Sequence, residues 1–140
     1  MSTVTLDGAA ITLPEGWVEH ANPGGPREFR ATAEGEAGVL QFSRFGDDRV
    51  GWLSAQPDLA PVAADLGRGM KFSDDAATKA GQCNMGRYGF AMFRGGRFPA
   101  MFLWVIVSRE ACVLWTWLGA DPTSKESQAA VSIVLGARET

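Results

Sequence analysis

The stretch FPAMFLWVIVSREACVLWTWLGADPTSKESQAAVSIVL, residues 98–135, decides the fold of this chain. It contains two runs, residues 98–107 and 112–118, that carry large apolar side chains at both odd and even positions. Because successive side chains of a strand point to opposite faces, these runs predict strands that are covered on both sides. Residues 108–110 form a short polar break between them, so we expect two strands in the middle of a sheet that water reaches from neither face.

A terminal helix is predicted to follow these two strands. Two start signals compete. One is Asp121 with Pro122 at the first helical position, and the other is a capping box of Thr123 and Glu126. The inward stripe of this helix is predicted to consist of small and branched apolar residues, namely Ala129, Ala130, Ile133, Val134 and Ala137.

Weaker patterns predict the remaining elements. Asp7-Gly8 between two short β-prone runs predicts an N-terminal hairpin. Residues 54–70 repeat apolar side chains at three- and four-residue steps, which predicts one middle helix with Asp58 as its N-cap, after a polar loop at residues 46–49. Further strands are predicted at residues 27–32, 38–45, 77–85 and 88–93, the last followed by a hairpin turn at residues 94–97.

These elements together predict an α+β fold in a single domain, residues 1–140. Its core is a mostly antiparallel sheet, because the connections between strands are short. Two main helices pack on this sheet as an α/β sandwich, either one on each face or both on one face. Since two helices cover a sheet only loosely, a homodimer that covers the rest is an open alternative.

The charge of the chain restricts its partners. The net charge of −3 argues against nucleic-acid binding, which needs a basic surface. Residues 1–65 carry four basic and ten acidic groups, whereas residues 66–109 carry seven basic and two acidic groups. This asymmetry predicts either a bipolar surface for an acidic partner or charges that mix in space.

The sequence shows no targeting or membrane-spanning segment, which predicts a cytoplasmic location. Residues 1–7 have neither the basic nor the apolar segment of a signal peptide, and no run is long enough for a membrane helix. We therefore expect a cytoplasmic protein without membrane contact. Cys83 and Cys112 each lie in a strand-like run, where we favour free thiols over a disulfide.

Several of these features together resemble a known family. They are the N-terminal hairpin, the turn formed by Pro14, Glu15, Gly16 and Trp17, a middle helix before an antiparallel sheet, and a final helix with Glu126 in its first turn. This order is similar to the Mog1/PsbP-like fold, which includes the DcrB-like bacterial proteins. The resemblance implies a protein that is not an enzyme but a binding or assembly factor. Some DcrB-like proteins lie beside secreted toxins, which implies an immunity or adaptor role.

Residues with catalytic or metal-binding chemistry are sparse. His20 is the only histidine, and no Cys-x-x-Cys, Glu-x-x-His or Gly-x-Ser-x-Gly spacing accompanies it. Glycine and arginine cluster at residues 86–89 and 94–97, between predicted strands, which favours hairpins over a phosphate loop. The acidic pairs at residues 47–48 and 74–75 fit solvated loops better than a cation site. We therefore predict no catalytic residue, no metal and no cofactor.

The candidate binding residues are tryptophans and arginines. The tryptophans are either core or a partly exposed platform, and the arginines would form its rim. The set is Trp104, Trp115, Trp117, Arg87, Arg94 and Arg97. The preferred function is a non-catalytic protein-binding module that presents the basic hairpin at residues 94–97 to an acidic partner, most specifically a bacterial toxin-immunity or secretion-associated protein. The alternatives are a small-ligand-binding protein or enzyme with an aromatic and arginine-lined pocket, and a structural homodimer subunit.

Overall fold

The computed structural model describes residues 1–31, 38–72, 76–94, 98–109 and 111–140. Within these ranges the chain forms ten strands and three helices. The strands are β1 (Ser2–Thr5), β2 (Ala9–Leu13), β3 (Trp17–His20), β4 (Arg27–Ala31), β5 (Val39–Arg44), β6 (Ala76–Cys83), β7 (Gly86–Arg94), β8 (Ala100–Val107), β9 (Cys112–Gly119) and β10 (Arg138–Glu139). The helices are α1 (Asp47–Ala55), α2 (Ala60–Gly69) and α3 (Lys125–Gly136).

Seven strands form one antiparallel sheet in the order β3-β4-β5-β9-β8-β7-β6. The two apolar strands, β8 and β9, are its middle, and every residue of β8 is buried. The prediction of an α+β fold with two central strands covered on both sides is therefore confirmed. A second, smaller sheet of β1, β2 and β10 was not predicted.

The two faces of the large sheet are covered by different elements. Leu103 and Val105 of β8 pack against α1 and α2, and we call this side the helix-pair face. Phe102 and Trp104 of β8 lie on the opposite side, where α3 and the small sheet cover them. We call that side the α3 face. Helices therefore lie on both faces, which selects one of the two arrangements that the sequence left open.

Helix α2 approaches the sheet closely at two glycines. A Cβ atom added to Gly67 of α2 would lie 2.1 Å from Cζ of Phe93 in β7. A Cβ atom added to Gly89 of β7 would lie 2.0 Å from the backbone oxygen of Leu59, just before α2 begins. Because both gaps are far shorter than van der Waals contact, only glycine allows α2 to rest this deeply on β7.

The prediction of one middle helix at residues 54–70 is wrong, because two helices, α1 and α2, occupy this region. Residues 46–49 are not all loop either, since α1 begins at Asp47. The break has a physical cause in Pro57, which lacks an N–H donor and forces an extended backbone on Gln56, whose φ is −72° and ψ 124°. The prediction of Asp58 as the N-cap is also wrong, because Leu59 is the N-cap of α2. Asp58 stands one residue earlier, where its Oδ1 accepts a hydrogen bond from the Ala60 N–H at 3.0 Å.

The predicted N-terminal hairpin is confirmed, but the predicted starts of the terminal helix are wrong. Strands β1 and β2 pair across a turn in which Gly8 has a φ of +84°. Helix α3 is capped by Ser124, whose Oγ accepts a hydrogen bond from the Ser127 N–H at 3.1 Å. Asp121 instead bonds Thr123, whose N–H and hydroxyl both donate to its carboxylate at 2.8 Å.

Candidate functional site

The three tryptophans of the predicted platform are core residues. Trp104 and Trp115 face each other across β8 and β9, and their exposed fractions are 1% and 0%. Trp117 is 1% exposed and packs on Trp17, with 5.9 Å between the ring centroids. Side chains buried this completely on the α3 face stabilise the fold and offer no surface to a partner.

The arginines of the predicted rim do not surround these tryptophans. Arg87 lies on the helix-pair face, where its guanidinium donates to the carbonyl oxygens of Gln56 at 2.9 Å and Ser54 at 3.2 Å. It thereby holds the C-terminal end of α1 against the sheet, an end where backbone carbonyls lack helical partners. Arg94 is an exposed residue at the end of β7. Arg97 and the predicted turn around it lie outside the described residues.

The helix-pair face is only partly covered by its two helices. A helix is about 10 Å wide with its side chains, and strands lie about 4.8 Å apart, so one helix covers about two strands. Helix α2 contacts β6, β7 and β8, and α1 contacts β8. Two helices thus cover about four of the seven strands. Among the described residues, no helix packs extensively on β5, β4 or β3, and Val18 of β3 is 41% exposed.

One row of cross-strand neighbours shows where this cover ends. The row crosses all seven strands and consists of Thr78, Ala91, Leu103, Thr116, Gln41, Glu28 and His20. Leu103 is buried beneath the helices, and every residue beyond it is polar. We call the second part, Thr116 to His20, the polar row. The chain thus changes from apolar to polar at the strand where the helix layer stops. Exposure rises along the row, since Thr116 is 6% exposed, Gln41 and Glu28 are half-buried, and His20 is exposed.

Hydrogen bonds fix the inner residues of the polar row. The hydroxyl of Thr116 donates to Oε1 of Gln41 at 3.3 Å, and Nε2 of Gln41 donates to Oε1 of Glu28 at 3.2 Å. The other oxygen of Glu28 pairs with the Arg30 guanidinium at 3.2 Å. A donor on one side and a carboxylate on the other hold the Gln41 amide in one orientation. One N–H of that amide has no partner among the described residues.

A cavity of about 350 Å³ lies at the buried end of the polar row. Gln41 and Thr116 contribute its polar wall, and Lys71 stands beside it just after α2. The rest of its lining is apolar, from Met70, Phe72, Phe98 and Leu118. A concave, mostly apolar space with a few fixed polar groups is the usual form of a binding site, and this volume lies within the usual range.

Lys71 stands at this cavity in a backbone conformation that disfavours it. Its φ is +64°, in the left-handed region. Helix α2 ends with the Phe72 N–H bonded to the Gly67 carbonyl and the Lys71 N–H bonded to the Arg68 carbonyl, both at 3.0 Å. This pattern places glycine at the left-handed position in most proteins, and a lysine there costs about 1 kcal/mol. The chain therefore keeps a cation at the cavity at the expense of stability.

This site was not predicted, although the sequence carries signals of it. Thr116 is the only hydroxyl or charged side chain in β9, and a lone polar residue in a strand covered on both sides marks an exception. Gln41 belongs to the polar phase of β5. Lys71 had no signal, because its role depends on a backbone angle.

Two other features bear on function. Within the described parts of the chain, no three His, Cys, Asp or Glu side chains are placed to hold a metal ion. No helix among those same residues has the length and apolarity that crossing a bilayer requires.

The fold is that of a known class. The chain is similar to the solution structure of cyanobacterial PsbP (CyanoP) from Synechocystis sp. PCC 6803, with a TM-score of 0.61 and 14% sequence identity over 95% of this chain and 87% of that one. No protein-family profile and no curated protein matches the sequence. At this identity the likeness shows the fold alone. The predicted Mog1/PsbP-like fold is confirmed, and the DcrB-like resemblance stays a prediction.

Proposed function

We propose that this protein is a non-catalytic protein-binding module whose binding surface is the polar row together with the cavity at its end. The observation that carries the proposal is a sheet face that two helices leave half open, with a formed cavity at the boundary of the cover. A partner would lie along the polar row and insert an apolar side chain into the cavity. This surface replaces the tryptophan platform that the sequence analysis considered.

Two further points support a binding role. The inner end of the surface is ordered before a partner arrives, because Thr116 lies on the mostly buried strand β9 and the Gln41 amide is held by hydrogen bonds to Thr116 and Glu28. An ordered surface loses little entropy on binding. The Mog1/PsbP-like resemblance also implies binding or assembly factors. A bacterial origin, and toxin immunity or secretion as the specific pathway, are proposed on that resemblance alone, and the cytoplasmic location stays a prediction.

The proposal is tested with two matched surface variants. Met70 at the cavity is 45% exposed, and Trp52 on α1 is 59% exposed, so both are apolar surface residues of adjacent helices. Tagged wild-type protein, Met70→Asp and Trp52→Asp are incubated with an extract of the native host after circular dichroism has shown that each is folded. We expect a protein that wild type and Trp52→Asp retain and Met70→Asp loses. Loss with Trp52→Asp alone, or no retained protein, would refute the proposed surface.

A small-ligand-binding protein is the second candidate, favoured by the mostly apolar lining of the cavity. In that case a compound from the host copurifies with wild type and is absent from Met70→Asp, with no retained protein. The homodimer predicts instead a doubled mass in sedimentation that changes with protein concentration.

A further inference from the structure

We infer that the cavity beside α2 takes an apolar group that carries a carboxylate, presented by an acidic and apolar segment of the partner protein. The inference rests on the proposed function and names the chemistry of the partner. It is built from three properties of the lining: its apolar walls, the donors that remain free, and the placement of Lys71.

The apolar walls select the first half of the ligand. Met70 and Phe72, which follow α2, line the space together with Phe98 and Leu118. The ring of Phe72 is held by an edge-on contact with Phe93, at 5.3 Å between centroids. Phe93 is fully buried, so this wall is supported from behind and keeps its shape without a ligand. Such walls favour an aromatic or branched aliphatic group.

The polar atoms of the lining select the second half. The Thr116 hydroxyl already donates to Gln41, whereas one N–H of the Gln41 amide has no acceptor in the described part of the chain. Lys71 adds an ammonium group that has no ion-pair partner among the described residues. No carboxylate of the described residues lines the cavity, and Glu28, the next acidic side chain along the row, is paired with Arg30. The free donors and the positive charge together favour an anion.

The position of Lys71 argues for a role in binding. A glycine at this left-handed position would end α2 with less strain, and an asparagine would tolerate it better than lysine does. Lysine instead adds a long cationic side chain at the cavity. Strain that the surrounding structure maintains occurs often at ligand sites. This matches a site in which the charge matters more than the conformational preference.

The test uses three probes that share one apolar group and differ in charge: 3-phenylpropionate, 3-phenylpropanol and 3-phenylpropylamine. Each is titrated into ¹⁵N-labelled wild-type protein and followed by amide shifts. For a ligand of this size we expect dissociation constants in about the millimolar range. The carboxylate should bind about fivefold to tenfold more tightly than the alcohol, and the amine more weakly than both. The shifts should centre on Lys71, Phe72, Gln41, Thr116 and Leu118.

Charge variants assign the effect to one residue. In Lys71→Gln the carboxylate should bind no more tightly than the alcohol, while alcohol binding stays within about twofold of wild type. Lys125→Gln, which removes an exposed lysine at the start of α3, is the matched control and should leave all three affinities unchanged.

Equal binding of the three probes, shifts that centre elsewhere, or no shift at about 20 mM would overturn the inference. So would a carboxylate preference that survives Lys71→Gln. These results are separate from those of the partner capture. If Met70→Asp loses a captured partner but the wild-type protein shows no preference for the carboxylate probe, the binding module stands and the acidic ligand is refuted. If the carboxylate probe is preferred but no protein is captured, the proposed chemistry of the cavity stands and the small-ligand-binding protein becomes the favoured function.

Discussion

Replacing Gly67 by alanine tests the packing that supports the candidate site. The added Cβ would lie 2.1 Å from Cζ and 2.3 Å from Cε2 of Phe93. Ordinary van der Waals contact begins at about 3.4 Å, so α2 or the Phe93 ring must move by about 1.3 Å. Phe93 is 0% exposed and its ring contacts Phe72 of the cavity wall, which leaves it little room. The movement therefore reaches the site.

The expected magnitude follows from two opposing effects. Overpacking a buried contact costs about 1–3 kcal/mol, or more where the neighbour cannot yield. Exchanging a helical glycine for alanine returns about 0.8–1 kcal/mol of helix propensity. Because buried Phe93 has little room to yield, the overpacking cost lies at about 2–3 kcal/mol, and we therefore expect Gly67→Ala to lower the free energy of unfolding by about 1–2 kcal/mol. With a urea m-value of about 2 kcal/mol per M, the unfolding midpoint falls by about 0.5–1 M.

The control is Gly69→Ala in the same helix, where an added Cβ meets no atom within 4 Å. This variant should match or exceed wild-type stability, because it gains propensity without a clash. Both are measured by urea unfolding with far-ultraviolet circular dichroism, and 3-phenylpropionate binding is then compared. A midpoint of Gly67→Ala at or above wild type, or equal changes in both variants, would contradict the packing argument.

Three further perturbations test other parts of the structure. Lys71→Gly should raise the free energy of unfolding by about 1 kcal/mol in urea titrations and remove the carboxylate preference. A lower free energy of unfolding would refute the claim that the left-handed backbone of Lys71 is strained. At neutral pH, maleimide should label half-buried Cys83 in the folded protein but Cys112 only after unfolding, because burial raises the pKa of the Cys112 thiol. Mass spectrometry of the labelled native protein measures this, and labelling of Cys112 in the native protein would contradict it. The hydrogen bond from Arg27 lowers the pKa of the Glu19 carboxyl below 4.5 in the folded protein. As the pH falls below about 4.5, the Glu19 carboxylate of the unfolded chain is protonated first, and the folded state loses stability. Glu19→Gln should weaken this loss by at most about 1 kcal/mol between about pH 6 and pH 3, because the pair is exposed, and an unchanged acid limb would exclude the contribution.

The centre of the fold was predictable because its pattern admits one solution. A run such as Ala100–Val107, apolar at every position, is stable in water only if both faces are covered, and this requirement placed β8 and β9 in the middle. The same reasoning could not locate α1. Within that helix only Leu53 is buried, and Gly51 and the exposed Trp52 interrupt any apolar stripe. Its helical state depends on neighbours that no local pattern reveals.

The small sheet and the candidate site could not be predicted from the sequence, for a related reason. Strand β10 has two residues and exists because Arg138 and Glu139 pair with Ala10 and Ala9 of β2. A pairing across more than a hundred residues leaves no local signal in so short a segment. The polar row depends likewise on the register of several strands. Thr116 and Gln41 are visible as polar residues in a sequence, but their contact is visible only in the assembled sheet.

The polar row differs from an ordinary exposed strand, and that difference is the strongest argument for a binding role. Strand β6, at the edge of the same sheet, carries exposed small or flexible side chains such as Thr78 and Lys79. Gln41 instead has both ends of its amide occupied within the protein. A free glutamine side chain loses up to about 2 kcal/mol of rotamer entropy when a ligand orders it. Here folding has already ordered it, so the proposed carboxylate ligand would bind its remaining N–H without that loss.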